Sequence, residues 1–325
     1  MAVPVVFQYS VYGIGLASDT ALPELELGAI APPEEQISIN VRLRNADANA
    51  GYHAAARWLL RSTLSNGDDQ ALCGKIEGGY LVRYPGFADF IIDDAGHELR
   101  CARIESGTSA QTLHHILLDQ VLPLVLNLLG RDVLHATAVD TPAGVCAFIG
   151  SAGAGKSTLA ASFAAAGYST FCDDCLVIQR SGEILCTPGY PGVRLWHDSF
   201  AALGNHPVTL SYEANYISKC RVVSNTGQVP NSLRPLIAIY RVSRPDEEPA
   251  LSTARIEPLT GRKAFMELVS AAYVLDVTEP ATLFRHFRCI EQLVTEIPIA
   301  RLLLPTDFAL LPAARRLILS ELKEA

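Results

Sequence analysis

The chain has 325 residues, more than one ordinary domain needs, so the length predicts two domains or one domain with a large appendage. Hydrophobic residues make up 49% and charged residues 18%, which excludes disordered and fibrous classes. With 26 basic against 34 acidic residues the formal charge is -8, the wrong sign for a phosphate-backbone binder, so no nucleic-acid partner is expected.

The stretch from Met1 to Ala17 is apolar but lacks a basic leading segment and carries Gln8, Tyr9 and Ser10, so it reads as a strand and not a signal peptide. Up to about Ser106, alternating runs (Val5 to Tyr12, Ile37 to Leu43, Tyr80 to Tyr84, Phe87 to Ile92) punctuated by turn residues predict a mostly β domain, residues 1–108. Within it, Ala56, Trp58, Leu59 and Leu60 suggest a helix over 56–63, and Pro32-Pro33-Glu34-Glu35 an exposed loop. From Ser109 to Leu129, apolar residues Leu113, Ile116, Leu117, Val121, Leu124, Val125 and Leu128 recur at helical spacing, and Gly130 stops the run. Asp119, Gln120, Pro123 and Asn127 interrupt it, which suits a core helix better than a bilayer span, so no membrane partner is expected.

This helix opens a second domain, residues 109–325. A strand from Val133 to Val139, a turn at Thr141-Pro142-Ala143-Gly144 and the apolar run Val145 to Ile149 follow, the last reading as a strand buried on both faces. Ser157 to Ala166 reads as a helix closed by Gly167, and Tyr168 to Cys172 as another strand; strand, loop, helix and strand form a βαβ unit. Leu236 to Val242 reads as a strand, with helices at Lys263 to Val274, Thr282 to Val294 and Pro312 to Leu322. The eight cysteines show no paired spacing over a short secreted chain, which points to reduced thiols and a cytoplasmic location.

Gly150-Ser151-Ala152-Gly153-Ala154-Gly155-Lys156-Ser157 matches the phosphate-loop pattern G-x-x-x-x-G-K-[ST], followed by Thr158. Backbone N–H groups of such a loop point at phosphate oxygens and the next helix adds its N-terminal dipole. Lys156, expected to stand exposed at the loop, would reach the β- and γ-phosphates of ATP, and Ser157 would ligate Mg2+. A chance match over this length is about one in a hundred, and the loop lies between a predicted strand and a predicted helix, so nucleotide binding outweighs a structural glycine loop. Asp173 and Asp174 end the next strand, where open α/β sheets collect their ligands. Their apolar flanks, Phe171 and Leu176 to Ile178, argue against a solvated turn, and two adjacent carboxylates can divide metal binding from proton acceptance. Cys172 and Cys175 have redox spacing, yet enclose two acids and read as buried small residues. His135 in an apolar strand has a core role as its plainer reading. Arg194, and the pair Lys219 and Arg221, are cations that could face a transferring phosphoryl group, with surface charge the plainer reading for the pair.

Taken together, His135, the loop and the acid pair resemble the catalytic domain of the HPr serine kinase/phosphorylase family, whose fold is related to phosphoenolpyruvate carboxykinases. His135 precedes Gly150 by fifteen residues, and Asp173 and Asp174 follow it by twenty-three and twenty-four, as in that family. The resemblance covers residues 131–200. It implies an α/β P-loop kinase domain with Asp173 as general base, Asp174 as metal-binding acid, Lys156 and Ser157 as loop ligands and His135 near the transferred phosphate. The openings Tyr12-Gly13-Ile14-Gly15-Leu16-Ala17-Ser18-Asp19 and Leu22-Pro23-Glu24-Leu25, with Glu257-Pro258-Leu259-Thr260-Gly261, are similar to HPr-kinase-related proteins, some of which phosphorylate a lasso-peptide precursor at its C-terminal serine. One departure stands out: where the family carries a metal-binding glutamate two residues before an arginine, this chain has Gly192 before Arg194.

The reading is therefore an ATP- and Mg2+-dependent serine kinase acting on a peptide or small protein, with Tyr190 and Trp196 in one wall of an acceptor groove. A small-molecule kinase and a nucleotide-sensing module without turnover are the alternatives, and a homo-oligomer is compatible with either.

Overall fold

The computed structural model describes residues 6–26, 37–43, 56–64, 66–202, 208–214, 217–224, 230, 232–243 and 251–324. The expected loop at Pro32 to Glu35 lies outside them. The chain is a mixed α/β protein of two compact units: Met1–Arg131 with Ala214–Tyr216 and Val274–Phe284, and Asp132–Glu213 with Ile217–Tyr273 and Arg285–Ala325. The long helix before residue 131 thus goes with the first unit.

The first unit is built on an eight-stranded mixed sheet in the order β1-β2-β3-β8-β7-β6-β5-β4. Its strands are β1 (Phe7–Val11), β2 (Ile14–Ser18), β3 (Ser38–Arg42), β4 (Arg57–Thr63), β5 (Asp69–Ile76), β6 (Gly79–Tyr84), β7 (Ala88–Asp93) and β8 (Glu98–Ile104). β1 and β2 form a hairpin whose two turn residues, Tyr12 and Gly13, both have positive φ (54° and 71°), the requirement of a type I′ turn. A non-glycine residue pays about 1 kcal/mol for that conformation; complete burial of the Tyr12 side chain offsets it. β4 corrects the helix expected at 56–63. The run of helix formers is overridden by pairing with β5, where Gly74 leaves the space that Trp58 lies over; a Cβ there would sit 3.0 Å from Trp58 Cε3.

The predicted helix is α1 (Ala110–His115), a π-helical turn (Ile116–Val121) and α2 (Leu122–Leu128) in succession. Ser109 caps it through its hydroxyl, which accepts from Thr112 N at 3.1 Å. The wide turn has a cause in Pro123, which has no N–H and would clash with the carbonyl four residues back in a regular helix. No helix among the described residues is long and apolar enough to cross a membrane.

In the second unit β9 (Asp132–Leu134), β10 (Thr137–Thr141), β11 (Gly144–Ile149), β12 (Ser169–Cys172), β13 (Leu176–Ser181) and β14 (Glu183–Thr187) join β18 (Arg234–Val242) in the order β12-β10-β11-β18-β14-β13-β9. β20 (Ile299–Leu303) pairs with β18, and β19 (Arg255–Pro258) with β20. A smaller sheet holds β15 (Val193–Trp196), β17 (Ile217–Ser224) and β16 (Val208–Ala214). All six residues of β11 are buried, as a strand covered on both faces requires. Val145, Ala147 and Ile149 pack with Ala264, Leu268, Cys289, Ile290 and Leu293 of helices Gly261–Ala271 and Pro280–Glu296. Cys146 and Phe148 pack with Leu159, Ala160 and Phe163 of helix Lys156–Ala164 and with Ala314 and Ile318 of helix Leu311–Glu324.

Two sequence expectations need correction here. The βαβ unit is split: β12 returns beside β10 and antiparallel to it, so β11 has β10 and β18 as neighbours. The strand expected from Val133 to Val139 breaks at His135 and Ala136, because its first half pairs with β13 and its second with β11 and β12. That break bends the sheet. The three Cα steps from Leu134 to Thr137 span at most ~11 Å, whereas five strand spacings, the separation of β10 from β9 along the sheet order, need ~24 Å if flat. The sheet therefore closes on itself where His135 lies.

Candidate active site

Leu134 faces Leu176 and Ala138 faces Cys172, so the pairings on either side of the break share one register. The stretches 132–141 and 169–181 form one antiparallel ribbon opened in the middle, with His135 to Thr137 on one edge and Asp173 to Cys175 on the other. Asp174 turns the chain through a left-handed φ of 58°, a costly conformation for a non-glycine residue. Cys172 and Cys175 flank it fully buried, as the sequence implied, and none of the eight cysteines forms a disulfide.

The glycine-rich loop meets this opening. At Gly150 φ is 138° and a Cβ would lie 2.7 Å from Val242 O, so only glycine fits. Ala154 N donates to Ser151 O at 3.2 Å, tightening the turn through Ala152 and Gly153, and Gly155 (φ 99°) leads into the helix at Lys156. Lys156 is buried, 6% exposed, not exposed as expected. Its Nζ donates to Gly150 O (2.8 Å) and Ser151 O (3.4 Å) and lies 3.3 Å from His135 Nε2. Burial pulls the Lys156 ammonium down from its ordinary value, while Asp174 and Asp173 push it back up.

Asp173 is the hub. Its Oδ1 accepts from Thr137 Oγ1 (2.6 Å) and Ser157 Oγ (3.0 Å), and its Oδ2 from Arg194 N (2.8 Å). Burial raises its carboxyl above the ordinary range and the neighbouring Asp174 adds to this, partly offset by Thr137 and Arg194. His135 Nε2 is 3.8 Å from Asp174 Oδ1, and its Nδ1 is 3.0 Å from Tyr273 OH. Burial and then the Lys156 charge hold the His135 pKa down at about 4, so the ring is neutral at pH 7.

His135, Lys156, Ser157, Asp173 and Asp174 thus come together. Arg194 reaches Asp173 through its backbone, with its side chain buried, and Thr158 Oγ1 bonds Ser199 Oγ at 3.3 Å. Arg221 is no surface charge: it is 3% exposed, lies over the Tyr190 ring at 4.3 Å and donates to Pro191 O. Lys219 lies over the 44% exposed Trp196 ring at 5.3 Å, and its charge acts on His135, Lys156 and Asp173. Sequence reasoning missed Thr137 and Tyr273. A hydroxyl in an apolar strand was the only available signal for the first; the second lies 138 residues from its partner His135.

Among the described residues no group of three or more His, Cys, Asp or Glu is arranged to hold a metal ion. The donors present, a serine hydroxyl and two carboxylates, are hard oxygens that fit Mg2+ bound jointly with substrate phosphates and not an all-protein metal cage. No family model and no curated protein matches the chain in sequence. Among solved structures it is similar to the Hpr(Ser) kinase/phosphatase from Coxiella burnetii, at 12% identity and a TM-score of 0.32, over 59% of this chain and 97% of that one.

Proposed function

We propose that the second unit is an ATP-dependent phosphotransferase that moves the γ-phosphoryl group to a serine hydroxyl of a peptide or small protein. The observation that carries this reading is the convergence of the loop on the ribbon opening: Lys156 meets His135 while the adjacent Ser157 meets Asp173. A glycine loop with a purely structural role has no need to join its lysine and its serine to a histidine and an acid pair.

Within this reading the loop amides and Lys156 hold the β- and γ-phosphates. Ser157 and Asp174 would hold Mg2+, which supplies charge neutralisation to the phosphates. Asp173 is the proton acceptor. A carboxylate offers about four lone-pair sites, and three are taken by Thr137, Ser157 and Arg194, which leaves one on Oδ2 for the acceptor's proton. Its raised pKa suits that task. The serine oxygen bonds to the γ-phosphorus, the bond to the β,γ-bridging oxygen breaks, the serine proton passes to Asp173 and ADP leaves. The exposed Trp196, with Lys219 over its ring, is the side chain available for an acceptor wall, whereas Tyr190 is buried beneath Arg221. A C-terminal serine of a lasso-peptide precursor is the acceptor that the family resemblance suggests.

Intact mass after incubation with Mg·ATP and serine-ending peptides tests the proposal. A gain of one phosphate, lost when the terminal serine is replaced by alanine, is the expected result. Phosphorylation of sugars or small alcohols in preference to every peptide overturns the acceptor, and nucleotide binding without any product overturns the enzyme.

A further inference from the structure

We propose that Tyr273 is a positioning residue of this site, fixing His135 in the tautomer protonated on Nδ1 so that the Nε2 lone pair faces Lys156; the inference rests on the phosphotransferase reading above. Tyr273 follows the helix Gly261–Ala271, and the backbone clamps this segment to the ribbon: His135 N donates to Ala271 O, and Tyr273 N donates to Val133 O at 3.0 Å. The phenol is thereby brought to both edges of the opening. Its hydroxyl is 3.2 Å from the backbone carbonyl of Asp174 and 3.0 Å from His135 Nδ1, with the two rings edge to face at 5.8 Å.

A phenol has one proton to give. The Asp174 carbonyl can only accept, so the proton goes there, and the phenol oxygen is left to accept from His135 Nδ1–H. A neutral ring protonated on Nδ1 has its lone pair on Nε2, where the Lys156 ammonium, a donor without acceptor capacity, stands at 3.3 Å. The other tautomer turns Nε2–H against the ammonium at 3.3 Å, gaining only the more distant Asp174 Oδ1 at 3.8 Å, and draws the phenol proton away from the Asp174 carbonyl towards Nδ1. One hydroxyl therefore ties together the left-handed backbone of Asp174, the orientation of the imidazole and the direction of the loop lysine. Lys156 has three protons and three acceptors, Gly150 O, Ser151 O and His135 Nε2, so its aim depends on that lone pair.

Tyr273→Phe removes the oxygen alone and keeps the ring against His135. The direct readout is 15N–1H correlation of the imidazole nitrogens in the full-length chain at pH 7 without nucleotide, with the His135 signals assigned by their loss in His135→Gln. The expected result is Nδ1-protonated, bare Nε2 in the wild type and a mixture of tautomers in Tyr273→Phe, with kcat lower by about ten- to a hundredfold, as for other residues that orient a site's working groups, and KM for ATP little changed. A wild-type ring protonated on Nε2 overturns the proposal, and so does a Tyr273→Phe ring that keeps the wild-type tautomer. Should the variant not fold, the wild-type spectrum alone decides. The spectra read the tautomer whether or not any acceptor is phosphorylated, so loss of the kinase reading and loss of this one are told apart.

Discussion

Each unit contains a cluster of lysine, tyrosine and aspartate, and the two treat their carboxylates in opposite ways. In the first unit Tyr80 OH donates to Asp276 Oδ2 at 3.1 Å, Lys75 Nζ lies 3.6 Å from the same oxygen, and Thr278 donates to Oδ1 from both its amide (2.8 Å) and its hydroxyl (2.6 Å). Burial pushes Asp276 up, but these partners outweigh it and hold its carboxyl below the ordinary value. In the second unit burial also pushes Asp173 up, Asp174 adds to it, and the hydrogen bonds fall short of cancelling them. A cluster arranged for stability leaves its acid at ease as an anion. One whose acid is left reluctant to ionise, beside a second acid and a lysine, has the character of a working site.

The largest effect that tests this contrast is on Asp173. Asp173→Asn is expected to lower kcat by about 10²- to 10⁴-fold with little change in nucleotide affinity, and Asp174→Asn to weaken Mg2+ dependence first. Steady-state kinetics at several Mg2+ concentrations separate the two, and the opposite pattern exchanges their roles. Lys156→Met comes next, since it keeps the buried stem and deletes the charge. A loss of about 10²- to 10³-fold in turnover is expected, with thermal unfolding as the control because Lys156 is buried. Equal turnover removes the loop from the mechanism.

Asp276→Asn should do the reverse: stability falls by about 1 to 3 kcal/mol, the cost of unsatisfying a buried hydrogen-bonded group, while turnover per folded molecule stays the same. The sign of its pH dependence follows from the depressed pKa. The contribution of Asp276 is present above its unfolded value of 3.8 and is lost as pH falls through the lower folded value. Denaturant unfolding of wild type and variant should therefore differ most near neutrality and converge in strong acid. A variant that unfolds as the wild type does at pH 7 would make Asp276 a bystander.

How much of this was legible in the chain depends on how local each signal is. The buried strand Val145 to Ile149, the glycine loop and the helix after it are written in contiguous residues, and the acid pair lies at the end of its strand. The helix expected at 56–63 failed because pairing with β5 decides that segment, and pairing is invisible in a local window. The burial of Lys156 was illegible for a related reason. A loop lysine reads as exposed until the ribbon supplies His135 as an acceptor from 21 residues away. The ribbon opening itself, with one register on both sides of an open centre, is a property of two segments together and has no signature in either alone.

The smallest predicted effect concerns Lys219, which the sequence left as a surface charge. Its ammonium lies over the Trp196 ring, and its positive field lowers the pKa of His135, Lys156 and Asp173, in each case with less influence than burial has. Lys219→Ala should therefore raise all three. If Asp173 must be ionised to accept the serine proton, the acid limb of the kcat/KM profile moves to higher pH in the variant, because the carboxylate has lost a nearby cation that favoured its charged form. Under the proposed function the same deletion would also remove a charge facing the transferring phosphoryl group, and the plateau rate should then fall as well, by about tenfold, the loss expected of a half-exposed donor and less than that of a buried one. Both effects have the same origin and should be relieved together by Lys219→Arg. A lower plateau with an unmoved acid limb would mean that Lys219 touches the phosphates and not the base; an unmoved plateau with a shifted limb would place it beside Asp173 and away from the phosphates. No change in either would return Lys219 to the surface charge that the sequence suggested.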